Sequence, residues 1–261
     1  MAVRTSASET VGLAPRLPDS WRRCGAYRVR SASTQEDLNA VFRLRFLVFN
    51  LELGEGLESA YQCGYDTDTF DAICDHLVVE HVTSGRVVGT YRLQTGRMAA
   101  TRLGFYSARE FDFSPFESLR DHMLELGRAC IHREHRSFDV LTLLWRAIAV
   151  YARENHARYL VGCSSLTSQS CPEGSQMYWR LQGFLAQPQW QTRPLPRFEF
   201  PLQPPSSGVA QPPPRLLRAY LSIGARICGP PAIDREFKTI DFLTLLDLEQ
   251  LSGAARSRFL I

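Results

Sequence analysis

Two β-rich runs, Leu77 to Val82 and Val87 to Leu93, face each other across Ser84-Gly85, and this hairpin constrains the fold more than any other stretch. Hairpin strands pair antiparallel, so the other elements must build a sheet around them. Upstream, Tyr27 to Arg30 reads as a strand. Thr34 and Asp37 form a capping box for a helix in which Leu38, Val41, Phe42, Phe46 and Phe49 recur at helical spacing. Downstream, Met123 to Ile131 reads as a strand, and Val140, Leu143, Leu144, Ala147, Ile148 and Tyr151 make the clearest amphipathic helix. Tyr159 to Cys163 is the next strand, Pro172 opens a helix reaching about Leu181 that Gly183 ends, and Arg197 to Leu202 returns as a strand. Helices and strands mix without a strict βαβ repeat, which predicts an α+β (mixed α/β) domain.

Residues 1–25 mix Ser, Thr, Pro and Arg without periodicity and read as a flexible lead-in. The main domain then spans 26–202. Prolines with Ser, Gly and Gln make 203–214 a linker. Residues 215–261 are expected to pack on the main domain as an appendage. It holds a helix through Leu216, Leu217, Tyr220, Leu221 and Ile227, a strand from Ile240 to Leu246, and a last helix from Leu248 to Phe259. A length of 261 residues suffices for one full core plus such an addition.

A hydrophobic content of 44% and a charged content of 22% are ordinary for a soluble globular chain. The net charge of +3 carries no nucleic-acid signature. Seven scattered cysteines without a Cys-x-x-Cys pair argue against a disulfide framework or structural zinc, and fit a reducing cytoplasm. His76, His132 and His135 form no ligand-spaced set with nearby cysteines, so no metal site is expected. Ser164 and Ser165 lack a Gly-x-Ser-x-Gly elbow, which argues against a serine acyl-enzyme. No run approaches the ~18 apolar residues of a membrane span, and the N-terminal stretch has no apolar segment of signal-peptide type. A soluble or peripheral protein is expected.

Charge is segregated. Leu51 to Gly85 carries Glu52, Glu55, Glu58, Asp66, Asp68, Asp71, Asp75 and Glu80 with no Lys or Arg, whereas Arg128 to Arg158 is arginine-rich. An acidic pocket could hold a cationic substrate, and an arginine face a phosphate or an acidic protein. Solvated surface charge explains any single residue equally well.

Three runs sharpen this: Asp68-Thr-Phe-Asp-Ala-Ile-Cys-Asp-His-Leu77, Val88-Gly-Thr-Tyr-Arg-Leu93 and Glu125-Leu-Gly-Arg-Ala-Cys130. With Leu44-Arg-Phe-Leu-Val-Phe49, Leu144-Trp-Arg-Ala-Ile148 and Asp234-Arg-Glu-Phe-Lys-Thr-Ile-Asp-Phe242, they resemble the L-ornithine Nα-acyltransferases of ornithine lipid synthesis, hemolysin-like members of the GNAT superfamily. More distantly, Arg45 to Phe49, the Asp68/Asp71 pair, Arg92, and Glu125 with Arg128 are similar to the acyl-homoserine-lactone synthases. The resemblance covers roughly Tyr27 to the C-terminus and implies a GNAT-like fold. Lys238 stands where the ornithine enzymes usually have glycine, and Ser168 to Trp179 does not match them.

The resemblance implies transfer of a (3-hydroxy)fatty acyl group to the α-amine of ornithine, giving lyso-ornithine lipid. The donor would be a phosphopantetheine thioester on acyl carrier protein, with no bound cofactor. It implies a cytoplasmic enzyme, peripheral at the inner membrane, whose product a separate O-acyltransferase would complete. Glu125 is the expected base, with Arg128 beside it; three residues apart on a regular strand, the two would face opposite ways. Asp68 and Asp71 would bind the acceptor's charge or orient Arg45 and Arg92. Arg133, Arg136 and Ser137, at the start of the following helix, would meet the carrier and its phosphate. Glycine, another amino acid or a polyamine remain alternative acceptors. An acyl-homoserine-lactone synthase and a non-enzymatic, membrane-acting hemolysin are more distant alternatives.

Overall fold

The computed structural model describes residues 23–205, 211–251, 253 and 256. One nine-stranded sheet organises them. Its strands are β1 (Arg23–Cys24), β2 (Tyr27–Ser31), β3 (Asp75–His81), β4 (Arg86–Thr95), β5 (Met123–Ile131), β6 (Tyr159–Leu166), β7 (Arg226–Ile227), β8 (Ala232–Asp234) and β9 (Thr239–Asp247). Spatial order is β1-β2-β3-β4-β5-β6-β9-β7, with β8 also on β9. Every pairing is antiparallel except β5 with β6. The helices are α1 (Gln35–Phe46), α2 (Ala60–Cys63), α3 (Gly96–Ala100), α4 (Phe138–Glu154), α5 (Cys171–Arg180) and α6 (Arg215–Ser222).

Local chemistry sets the element ends. Thr34 caps α1 and Asp37 closes the capping box. Asp37 also takes Arg30 at 2.6 Å, tying the helix start to β2. Beyond Phe46 the helix loosens into a π turn over Leu47–Leu53 that ends at left-handed Gly54. Ser137 caps α4 and Ser170 caps α5. The apolar stripe of α4 (Val140, Leu143, Leu144, Ala147, Ile148, Tyr151) lies buried against Leu77, Val79, Val88 and Leu93 of the hairpin. A second core gathers Phe105, Phe111, Phe113 and Phe116 against Met123, Val161 and Leu243.

Several expectations change. The lead-in expected over 1–25 ends in β1 at Arg23–Cys24; residues 1–22 lie outside the described residues. Arg197 to Leu202 is not a strand: Pro196–Phe198 forms a 3-10 turn, and Glu199 makes a single bridge to Ala232. Pro196 opens the 3-10 turn and Pro201 removes a donor that a ladder would need. The helix after the linker stops at Ser222, and Arg226–Ile227 turns back as a strand. Where the last helix was expected, Leu248–Gln250 forms a 3-10 turn and the described residues Gly253 and Arg256 are helical, most of the remainder lying outside the described residues. Of 203–214, the described residues 203–205 and 211–214 carry no helix or strand. The segment read as an appendage adds strands to the main sheet, β9 pairing with β6 over eight residues from Tyr159↔Asp247 to Leu166↔Ile240. Lys238, at the β8–β9 turn, has φ +65°. This left-handed conformation is one that glycine adopts without a Cβ penalty.

Candidate active site

The parallel pairing of β5 and β6 stops at Glu125↔Val161. A Cβ on Gly162 would come within 2.2 Å of the Leu126 carbonyl, so this crossing of the two strands requires glycine. Past it, β6 stays paired to β9 while β5 stays with β4, and a notch opens between them. A cavity of about 760 Å³ occupies the notch. Trp145 and Ile148 of α4, Leu217 and Tyr220 of α6, and Leu246 of β9 give it an apolar wall. Tyr220 stacks on Trp145 at 5.2 Å and its hydroxyl meets that of Tyr91 on β4, which fixes α6 over the apolar end.

A bulge re-aims β5 at this point. One residue of β4, Tyr91, lies opposite both Arg128 and Ala129, and Arg128 takes φ +48°. The extra residue resets the alternation of the strand. Glu125 and Arg128 therefore both line the cavity, contrary to the opposite-face expectation for a regular strand. They do not pair with each other. The Glu125 carboxylate accepts the backbone N–H of Tyr106 and of Ser107, each at 2.7 Å. Burial raises its pKa above the usual carboxylate range against the pull of these bonds.

Arg128 belongs to a buried ion network. Arg45, fully buried, donates to Asp66 and Asp71 at 2.7 Å. Arg92 donates to Asp68 at 2.7 Å and Asp71 at 3.1 Å. Arg128 donates to Asp68 at 2.8 Å and lies over the Phe237 ring at 4.4 Å. Burial works to raise Asp71, but Arg45 and Arg92 hold it well below the usual range. Three arginines thus meet three aspartates. Arg45, Asp68, Asp71, Arg92 and Arg128, widely separated in sequence, come together here; the closest charged partners of Asp68 and Asp71 are arginines, and each also accepts a backbone N–H, from Phe70 and Asp68 respectively.

The carrier-side candidates separate. Arg136 and Ser137 line the cavity, whereas Arg133 sits exposed in the 3-10 turn Arg133–His135. Arg136 pairs with Glu52 at 2.7 Å.

Sequence reasoning assigned no role to the acids at the other end. Glu110, Asp234 and Asp241 place carboxylate oxygens within 4.8 Å of one another, all three buried and lining the cavity. The β8–β9 hairpin puts Asp234 and Asp241 on one face, since Asp234 pairs with Thr239 and Thr239 donates to Asp241 at 2.9 Å. Recognising that hairpin in the sequence would have linked the two. Burial, then the charges of Asp241 and Asp234, raise Glu110 well above the usual range. His132, Glu134 and His135 form a second close group, although metal-ligand spacing was not apparent in the sequence.

Glu55 completes the acidic rim. Burial pushes its carboxyl up to about 7, against a 2.8 Å hydrogen bond donated by Thr167. Its folded pKa lies above its unfolded one, so the protonated form favours the fold. That contribution is full below about 4.5 and is lost as pH rises through about 7. Glu55→Gln is therefore expected to raise Tm over wild type by ~2–4 °C at pH 8, with little difference at pH 5. A Tm difference that stays flat across this window would show that Glu55 does not titrate there.

A sheet splayed at its one parallel pair, with a mostly apolar cavity in the notch that carries buried carboxylates, is the arrangement of a GNAT-class acyltransferase, and residues 44–146 match the acetyltransferase (GNAT) domain model. The chain is 34% identical to an L-ornithine Nα-acyltransferase of Brucella abortus, over 91% of this chain and 92% of that protein. Two solved structures share the fold. One is FeeM, an N-acyl amino acid synthase from uncultured soil microbes (TM-score 0.55, 10% identity, 90% of this chain and 96% of that one). The other is BjaI, a coenzyme A-dependent acyl-homoserine lactone synthase (TM-score 0.52, 16% identity, 88% and 87%). The chain belongs to the L-ornithine Nα-acyltransferase family. No helix of the described residues is long and apolar enough to cross a membrane.

Proposed function

We propose that the protein transfers a fatty acyl group from the phosphopantetheine thioester of acyl carrier protein to the α-amine of L-ornithine, giving lyso-ornithine lipid. The observation that carries this reading is the two-sided cavity: an apolar wall and an acidic end, with Glu125 between them. Glu125 takes a proton from the acceptor ammonium, directly or through water, and the freed amine attacks the thioester carbonyl. The unpaired edge of β5 beyond Glu125 offers backbone N–H groups to the oxyanion. The carrier thiol then leaves with a proton as the amide forms. The acyl chain lies along Trp145, Ile148 and Tyr220. Arg136 and Ser137 lie where the carrier's phosphate would enter, and Arg133, exposed beside them, offers charge to the acidic carrier. Arg45, Arg92, Asp68 and Asp71 act as the frame that holds Arg128 at the cavity. An acylated product would partition to the inner membrane, where an O-acyltransferase can add a second chain.

The test is direct. Purified protein is offered 3-hydroxyacyl carrier protein, or the same acyl group on coenzyme A, with single amino acids or polyamines, and products are read by mass spectrometry. Acyl-ornithine formed from the carrier thioester, with slower turnover from coenzyme A, is the expected result. Amide formation only on glycine or a polyamine would overturn the acceptor assignment, and no amide from any acceptor would overturn the reaction.

A further inference from the structure

We propose that Glu110, Asp234 and Asp241 form the receptor for the side-chain ammonium of the acceptor, and so select a cationic amino acid over a neutral one. This rests on the acyl-transfer reading above and names how its acceptor is chosen.

Charge balance comes first. Arg45, Arg92 and Arg128 are matched by Asp66, Asp68 and Asp71 through contacts of 2.6 to 3.4 Å. Among the described residues, no such ion pair reaches Glu110, Asp234 or Asp241. Three buried carboxylates without an ion-pair partner, with Arg128 acting on Glu110 and Asp241 only at longer range, are costly to keep charged. A cavity beside them provides room for a ligand to supply one.

Hydrogen bonding points the same way. Asp241 is 3% exposed; Thr239 serves its Oδ2, while its buried Oδ1 makes no well-formed hydrogen bond and has only the Ser165 hydroxyl near the carboxylate. Buried carboxylate oxygens are normally satisfied, so an orphan in a cavity wall marks a missing donor. An alkylammonium has three N–H donors and no acceptor, which matches three converging carboxylates. Asp234 is already oriented, its Oδ1 accepting the N–H of Glu236 and Phe237 at 2.8 and 2.9 Å.

Position relative to the chemistry also fits. Cys163 Sγ lies 3.5 Å from Ser107 Oγ and 3.7 Å from Glu110 Oε2, and the Ser107 N–H holds Glu125. Ser107 and Cys163 thus link the trio to the proposed base through successive contacts, and both line the same cavity. This also accounts for Asp68 and Asp71, which already serve arginines.

The test compares kcat/KM for L-ornithine with that for L-norvaline, which lacks only the side-chain amine. Wild type should prefer ornithine by roughly 10²–10⁴-fold. In Asp241→Asn that ratio should fall at least tenfold, chiefly through KM for ornithine, and in Glu110→Gln likewise. Equal use of norvaline by wild type, or an unchanged ratio in folded variants, overturns the proposal while leaving acyl transfer standing. Acylation of no amino acid at all would instead overturn the acyl-transfer reading. Thermal shift with Mg²⁺, Mn²⁺ or Zn²⁺ is the remaining arm. Stabilisation of wild type by one of these ions, absent in Asp241→Asn, would make the trio a metal site and overturn the ammonium assignment. Should both variants fail to fold, Asp234→Asn supplies the same comparison, and equal use of norvaline by wild type still overturns the proposal.

Discussion

Arg45→Met is expected to cost ~3–5 kcal/mol of stability, because it leaves buried Asp66 with only Arg128 at 3.4 Å and buried Asp71 with only Arg92 at 3.1 Å as close arginine partners. Arg45 is fully buried and donates to both aspartates. Methionine keeps much of the volume but supplies no donor. Asp66 Oδ2 already lacks a partner, so the network has little spare hydrogen bonding to redistribute. Against a total stability of ~5–15 kcal/mol for a typical domain, such a loss brings the protein near unfolding. Urea denaturation of the purified variant measures it. Adding Asp66→Asn to Arg45→Met should recover part of the loss, as it removes one stranded charge. A single variant within ~1 kcal/mol of wild type would show that Arg92 and Arg128 suffice to hold the aspartates.

Glu125→Gln is expected to lower kcat by ~10²–10⁴-fold, the range that a positioned base contributes. The substitution also has a structural cost. Both carboxylate oxygens accept a backbone N–H, from Tyr106 and Ser107. The glutamine amide must turn its NH2 toward one of these donors, leaving that donor unsatisfied at about 1–3 kcal/mol. A lowered Tm should therefore accompany the lost turnover. The pH profile distinguishes the two effects: if Glu125 is the base, the acidic limb of log kcat/KM against pH disappears in the variant. Retention of that limb with a uniformly lower rate would assign Glu125 to holding the Tyr106–Ser107 turn, and wild-type turnover would remove it from the mechanism.

Much of the frame can be read locally. The Thr34–Asp37 box, the Met123–Ile131 strand and the stripe of α4 each carry their signal within a few residues, and the structure forms all three. The bulge at Arg128 leaves no such signal, because neither glycine nor asparagine marks its left-handed residue. The alternation rule consequently predicts the wrong face for Arg128. The strand expected at Arg197 to Leu202 fails for the converse reason: its apolar and aromatic residues look β-like, yet prolines deny it a ladder. The Glu110–Asp234–Asp241 trio is harder still. Glu110 sits more than a hundred residues from Asp234 and Asp241, and the sheet that pairs β9 with both β6 and β8 brings the three to one cavity. Composition shows the acidic block at Leu51 to Gly85, yet of its acids only Glu55 lines the cavity, and Asp66, Asp68 and Asp71 are answered by arginine.

The position of β9 also bears on how the protein is made. β6 emerges from the ribosome well before the strand that completes its far edge. At translation rates of about 5–20 residues per second, that edge stays uncovered for on the order of ten seconds. Thr239, Asp241 and Thr244, which line the cavity, arrive only with β9. A nascent chain therefore has no complete binding pocket until β9 has been made. A nonsense codon after Leu202 would leave a product with an open strand edge, a substrate for chaperones and proteases instead of a slower catalyst.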